Sequence, residues 1–192
     1  SPELDLVAVA DLIEERGRAA GEKFSARRVY RSGAELLDDP EVEAVVLAFP
    51  TGKRTRLALQ ALATGKHVLL EKPVAMNAGE VRQMIAARGN LVAGCCSSRF
   101  RFLEGARVAA DFLASGALGD LRVVRCRNLA AAGPPPESPR PDWRLTRALN
   151  GGGYLVNWGC YDLDYLLGIT GWTLKPRMVL AQTWTVPPQF QS

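Results

Sequence analysis

Two short runs of the chain carry side chains with chemical capability. The first is Glu71-Lys72-Pro73, which ends the apolar run Val68-Leu69-Leu70 behind Gly65-Lys66-His67. Residues His67 to Glu71 read as a short parallel β-strand covered on both faces. Pro73 has no N–H to extend a ladder and biases Lys72 towards an extended conformation. In an open parallel α/β sheet the carboxyl ends of the strands border the ligand crevice. Lys72 then stands there either as a fixed cation that polarises a bound oxygen or as an ordinary solvated lysine at a strand end. The second run follows Gly151-Gly152-Gly153. A helix through residues 154–168 puts Asn157, Tyr161, Asp164 and Tyr165 on one side, as aligned hydrogen-bonding groups or as a solvated polar face.

These runs need elements to hold them, and the pattern supplies alternating strands and helices. Leu4 to Ala10 is a strand ending in Asp11, and Leu12 to Ala20 a helix with Gly21 as its stop. Glu43 to Phe49 is the next strand, closing on Pro50-Thr51. Arg54 to Thr64 is an amphipathic helix with Leu57, Leu59 and Leu62, capped by Gly65. A helix from Asn77 or Ala78 to Ala87 and a strand from Leu91 to Cys96 follow, and Ser97-Ser98-Arg99-Phe100 leads out of this unit. The alternation from Leu4 to Cys96 is a doubly wound α/β signature. Beyond it come a helix from Phe102 to Leu113, a half-exposed antiparallel strand from Leu121 to Arg127, and an Ala/Gly/Pro-rich loop from Ala130 to Pro141. The long helix ends at Gly168 or Gly171 with Trp172 capping the core, and Arg177 to Val186 is a last strand.

Composition narrows the classes. The chain has 192 residues, a formal charge of +4 from 24 Lys and Arg against 20 Asp and Glu, and no run of five basic residues. Nucleic acid is therefore not an expected partner, and weak attraction for an anionic cofactor explains the basic excess as well. Hydrophobic residues make up 47% and charged residues 23%, ordinary globular values. No apolar run approaches a membrane-spanning length and the first residues lack the regions of a signal peptide, so a cytoplasmic setting without membrane contact is expected. Cys95, Cys96, Cys126 and Cys160 show no Cys-x-x-Cys spacing, and the single His67 completes no zinc set with them, so no metal site is expected.

Gly-Lys-His-Val followed by Glu-Lys-Pro and a small-polar helix start resembles the hallmark of the glucose-fructose oxidoreductase / inositol dehydrogenase / rhizopine-catabolism (Gfo/Idh/MocA) family. The resemblance implies a Rossmann-like domain, residues 1–96, followed by an α+β substrate-binding and oligomerisation domain with an open antiparallel sheet, residues 97–192. It implies a nicotinamide-dependent oxidoreductase that moves a hydride between the cofactor and a sugar, cyclitol or related polyol. Lys72 would be the catalytic lysine, with the Lys72–Pro73 bond able to be cis. Asp11, at a strand end, resembles the acid that hydrogen-bonds the adenosine ribose, although an Asp after a strand is also a common helix cap. An acid there disfavours the extra phosphate of NADP, so NAD is the expected cofactor and NADP the less favoured one. Phe49, Pro50 and Thr51 fall on the turn that borders nicotinamide and ribose, Arg54 takes the place of a His a few residues on, and Glu71 and Lys72 complete the cofactor side.

After the glycine triple the family has an Asp, then a His four residues later, then another Asp. These fall on Asn157, Tyr161 and Asp164. Tyr161 would transfer the hydroxyl proton, because an ammonium beside a phenol favours loss of its proton. Asn157 would position the substrate, and Arg144, in the preceding Asp142-Trp143-Arg144 run, is counted with Lys72, Asn157 and Tyr161 as substrate-binding. The changed Asp and His also fit a non-catalytic member that senses a dinucleotide or a sugar. The Gly-x-Gly-x-x-Gly turn of a dinucleotide site and its strand are not found in the 192 residues. With so few strands after residue 100, the chain is expected to be incomplete at both ends, with an inactive fragment as a further alternative, and the whole protein a homo-oligomer through the second-domain sheet.

Overall fold

The computed structural model describes residues 3–127 and 141–182, and only the backbone of Ser98, Leu145 and Tyr154. Five short strands alternate with helices: β1 (Ala8–Ala10), α1 (Glu14–Phe24), β2 (Arg28–Tyr30), α2 (Gly33–Leu37), β3 (Ala44–Leu47), α3 (Thr51–Ala63), β4 (His67–Leu70), α4 (Ala78–Ala87) and β5 (Ala93–Cys95). A 3-10 turn (Cys96–Phe102) leads to α5 (Glu104–Ala114), and two one-turn helices, α6 (Asp142–Leu145) and α7 (Arg147–Asn150), precede the long α8 (Gly153–Ile169).

All strand pairs are parallel, with β1 beside β2 and β4 between β3 and β5. These two groups correspond to strands 2–3 and 4–6 of the doubly wound order 3-2-1-4-5-6. No ladder joins β1 to β3 among the described residues. Val45, Leu47, Val68 and Leu70 face Ala58, Ala61, Leu62 and Met84 of α3 and α4, and this contact is the main core. The expectation of strands covered on both faces is corrected. Val46 is 66% and Leu69 41% exposed, since α3 and α4 lie on one face only.

Local chemistry explains the element ends. Ser32 and Asn77 accept from the amides of Glu35 and Glu80, and those carboxylates accept from Ser32 Oγ, Asn77 Nδ2 and the preceding amides of Arg31 and Met76, a reciprocal arrangement close to a capping box. Thr55 on α3 donates to the same Glu80 at 2.6 Å and so ties α3 to α4. Gly65 adopts φ 76° just past α3, in keeping with its expected role. Gly21, expected as a helix stop, instead lies buried inside α1, where a Cβ would come within 2.6 Å of Val29 Cγ2. The residue in the left-handed region after α1 is Ser25. Gly168 likewise lies within α8, and Trp172 is exposed rather than capping the core.

Residues Leu121 to Arg127 are irregular and exposed, contrary to the strand expected there. Their alternation provides an apolar face, but no neighbouring strand pairs with them among the described residues, and unpaired strands are not stable. Residues 177–182 are also irregular. The rest of that expected strand, and the loop at 130–140, lie outside the described residues. No described helix is long and apolar enough to cross a membrane.

Two polar centres stiffen the margin of the sheet. The buried Lys66 ammonium donates to the carbonyls of Asp39 and Val42 at 2.8 and 2.7 Å. Burial pushes the Asp39 carboxyl up, but bonds from the Glu41 amide, Arg28 and Tyr30 outweigh it and hold the group below the usual carboxylate range. Stability from a carboxylate held low is present above its ordinary pKa of about 4 and is lost as pH falls through the folded value. In urea melts, wild type should therefore exceed Asp39→Asn in stability near neutrality, with the gap closing as the medium is acidified. A gap that stays constant with pH would contradict this.

At the other margin α7 rests directly on α3, because a Cβ on Gly52 would lie 2.3 Å from the carbonyl oxygen of Ala148. Gly52→Ala should displace α7 at a cost of about 1–3 kcal/mol. Hydrogen exchange should show lost protection at 147–152 while β3 and β4 stay protected.

Candidate functional site

Parallel pairing of β3 with β4 brings the Phe49-Pro50 turn and the Glu71-Lys72-Pro73 turn to the same edge, with Leu47 in register with Leu70. The Lys72–Pro73 peptide is cis, as the resemblance allowed. The Glu71 carboxylate accepts from the Lys72 amide at 2.7 Å. The side chain of Lys72 then crosses to α8. Its Nζ donates to the main-chain oxygen of Asn157 at 2.9 Å and to Asn157 Oδ1 at 2.8 Å.

The same ammonium stands 5.0 Å from the ring centroids of both Trp158 and Tyr161. Tyr161 is 6% exposed and its ring packs against Phe100 at 5.3 Å. Arg99 covers the Tyr161 ring as well, at 5.0 Å. The phenol ring is thus in contact with two cations, and its contact with Lys72 is through the ring. Below it, Arg101 bonds Asp164 at 2.7 Å and lies across Gly168, where a Cβ would meet its Cδ at 2.2 Å. The glycine keeps this crossing open, and the ion pair fixes the turn Cys96–Phe102 along α8. Asp164 therefore serves that clamp.

The structure brings Lys72, Asn157 and Tyr161 together. Arg144 sits on α6, its guanidinium 5.3 Å from the Trp143 ring, and nothing links it to that group among the described residues. Asp11 follows β1, and its Oδ1 accepts from the Ile13 amide at 2.8 Å in the turn before α1; the helix cap weighed as an alternative is corrected, since the N-cap of α1 is Ile13 and no side chain caps it. Thr51 is buried at the start of α3. Arg54, expected towards the cofactor, points inward, 3% exposed, and donates to the carbonyls of Phe49, Glu71 and Pro73. Its place was signalled by spacing, since Arg54, Ala58, Ala61 and Leu62 fall on one helix face. Arg99 and Arg101, which the sequence reading passed over, had only the alternation Arg99-Phe100-Arg101-Phe102 to mark them.

The edges of β1, β3 and β4 that present Asp11, Phe49-Pro50 and Lys72 are all carboxyl ends, where a dinucleotide lies in this class of sheet. Residues of these strand ends could hold a nicotinamide dinucleotide, and which of them would meet its ribose and its reactive ring belongs to the proposal below. Among the described residues no cluster of His, Cys, Asp and Glu could hold a metal ion. Cys95, Cys96, Cys126 and Cys160 are free thiols, and burial pushes Cys96 and Cys160 up, away from the reactive thiolate.

Comparison with known proteins identifies the family and the fold. A family described as "Oxidoreductase family, NAD-binding Rossmann fold" matches residues 1–91, and the "GFO/IDH/MocA C-terminal domain" matches residues 106–191. The trans-1,2-dihydrobenzene-1,2-diol dehydrogenase of Mus musculus is 34% identical over 182 residues, covering 94% of this chain and 52% of that protein. A 1,5-anhydro-D-fructose reductase of Ensifer adhaerens is 32% identical over 163 residues, 84% of this chain and 48% of its own. Among solved structures, an oxidoreductase domain protein from Kribbella flavida superposes with a TM-score of 0.76 at 30% identity, covering 87% of this chain and 45% of that one. GenD2 from gentamicin A biosynthesis, in complex with NAD, superposes with a TM-score of 0.74 at 28% identity, covering 89% and 48%. The chain spans about half the length of the curated relatives it matches. The parallel α/β fold and the two family matches, over residues 1–91 and 106–191, make this chain a member of the GFO/IDH/MocA oxidoreductases, with an NAD-binding Rossmann fold.

Proposed function

We propose that the whole protein containing this chain is an NAD-dependent dehydrogenase or reductase acting on a CH–OH group of a cyclic polyol, sugar or diol. The observation that carries the reading is the Lys72 ammonium, held by both oxygens of Asn157 and set over Trp158 and Tyr161. An ammonium has three N–H donors, so after the two bonds to Asn157 one remains to polarise a substrate oxygen. Asn157 keeps its amide N–H groups to orient a neighbouring hydroxyl. Tyr161 exchanges the hydroxyl proton beside Lys72. The bound nicotinamide supplies hydride chemistry at its C4.

The substrate class rests on relatives whose names give a dihydrobenzene diol and an anhydro sugar, both cyclic and oxygen-rich. Trp158, 38% exposed, offers such a ring an apolar face. Residues 1–96 form the dinucleotide-binding part and 97–192 the substrate-binding part of this reading, a division supported by the two matched families. Exposed Val108 and Phe112 of α5, with Leu155 and Leu163 of α8, supply apolar surface for the second-domain sheet and for oligomer contacts. The carboxylate of Asp11 repels a 2′-phosphate and so favours NAD over NADP.

With the whole protein and a panel of cyclic diols, inositols and sugars, turnover should be detectable with NAD and weaker with NADP. Lys72→Ala should lower kcat by about 10²–10³-fold. Tyr161→Phe should lower it by about 10²-fold or more, and the double variant by less than the product. Tight NAD binding with no turnover on any substrate would favour the sensing member suggested by Asn157 and Tyr161 in place of Asp and His.

A further inference from the structure

Of the buried charges that the mechanism above does not use, Arg54 is the one bonded beside Lys72. Arg54 lies one turn into α3 and has almost no solvent contact, yet its fork spans two strand ends. Nη1 donates to the carbonyls of Glu71 and Pro73, and Nη2 to the carbonyl of Phe49. Glu71 and Pro73 are the residues immediately before and after Lys72. Phe49 belongs to the turn that follows β3. A single planar group therefore holds the main chain on both sides of Lys72 and joins it to the neighbouring strand end.

Burial lowers the pKa of this guanidinium, and the Glu71 carboxylate nearby acts against that shift. A guanidinium stays charged in proteins, and its rigid fork meets several carbonyls where an ammonium, a point charge on a flexible stem, does not. Without it, three carbonyl oxygens would converge around an uncharged space and the turn would relax. The Lys72 side chain would then rely on Asn157 at its tip, with the Glu71 carboxylate at its own amide and the Glu71–Leu47 ladder bond as the remaining holds on its backbone.

We propose that Arg54 is the positioning residue for Lys72: it fixes the backbone from which the ammonium reaches the reacting oxygen, and it does not contact the cofactor. The inference rests on the reading of Lys72 as the polarising cation. It departs from the cofactor contact that family resemblance implied for this position. A displacement of about 1 Å at a reacting group can cost about 10²-fold in rate, so the effect should fall on turnover.

The test uses the whole protein and the variants Arg54→Lys, Arg54→Ala, Lys72→Ala and Arg54→Lys/Lys72→Ala. Arg54→Lys should lower kcat by about 10–10²-fold while NAD affinity by calorimetry changes less than about threefold. The same change on the Lys72→Ala background should have little further effect, because both act through one group. Added guanidinium ion should restore part of the turnover of Arg54→Ala; should that variant not fold, Arg54→Lys carries the test. The ¹³C resonance of reductively methylated Lys72, assigned by its absence in Lys72→Ala, should move in Arg54→Lys.

Weakened NAD binding with kcat unchanged would overturn the proposal and make Arg54 a cofactor ligand. Equal losses with and without Lys72, or an unmoved Lys72 resonance, would overturn it too. Wild-type turnover in Lys72→Ala would instead sink the catalytic reading, and the resonance would still decide whether Arg54 positions Lys72.

Discussion

The pair of hydrogen bonds from Lys72 Nζ to Asn157 is the link on which the arrangement depends. It joins the end of β4 to α8 across 85 positions of sequence. On one side stands a parallel sheet whose core is Val45, Leu47, Val68 and Leu70 against α3 and α4. On the other stands a helix whose Trp158 and Tyr161 rings meet the Lys72 ammonium. Charged hydrogen bonds of this kind are stronger than neutral ones, and here they also decide where the ammonium stands.

Three further contacts keep that link in register. Arg101 and Asp164 tie the turn after β5 to α8. Gly52 lets α7 rest on the first turn of α3, and Met76 Sδ lies 3.5 Å from where a Cβ of Gly151 would be. The last of these connects the turn after Lys72 with the entry to α8.

Much of this was legible in the sequence. The run Val68-Leu69-Leu70 stopped by Glu71-Lys72-Pro73 marked β4 and its exit, and the glycine triple followed by Asn157 and Tyr161 at helical spacing marked α8. Asp11 carried two readings; its bond to Ile13 closes the turn before α1 without capping the helix, and the cofactor role stays a proposal. β2 escaped because three residues, Arg28-Val29-Tyr30, give no period to read. Gly21 and Gly168 were misjudged as stops because a glycine that ends a helix and one that admits a crossing side chain look alike in sequence. Leu121 to Arg127 alternates like a strand, but strand formation depends on a partner that alternation does not supply. Arg54 was placed by analogy with a histidine, although its spacing with Ala58 and Ala61 put it on the buried face.

A double-mutant cycle in the whole protein tests the central claim most directly: kcat/KM for the oxidation of its best polyol substrate, measured for wild type, Lys72→Met, Asn157→Ala and the pair. If the two side chains form one catalytic unit, the losses will be non-additive, with a coupling energy within about 0.5–3 kcal/mol and towards its upper end. Additive losses, leaving each residue to act alone, would contradict the account.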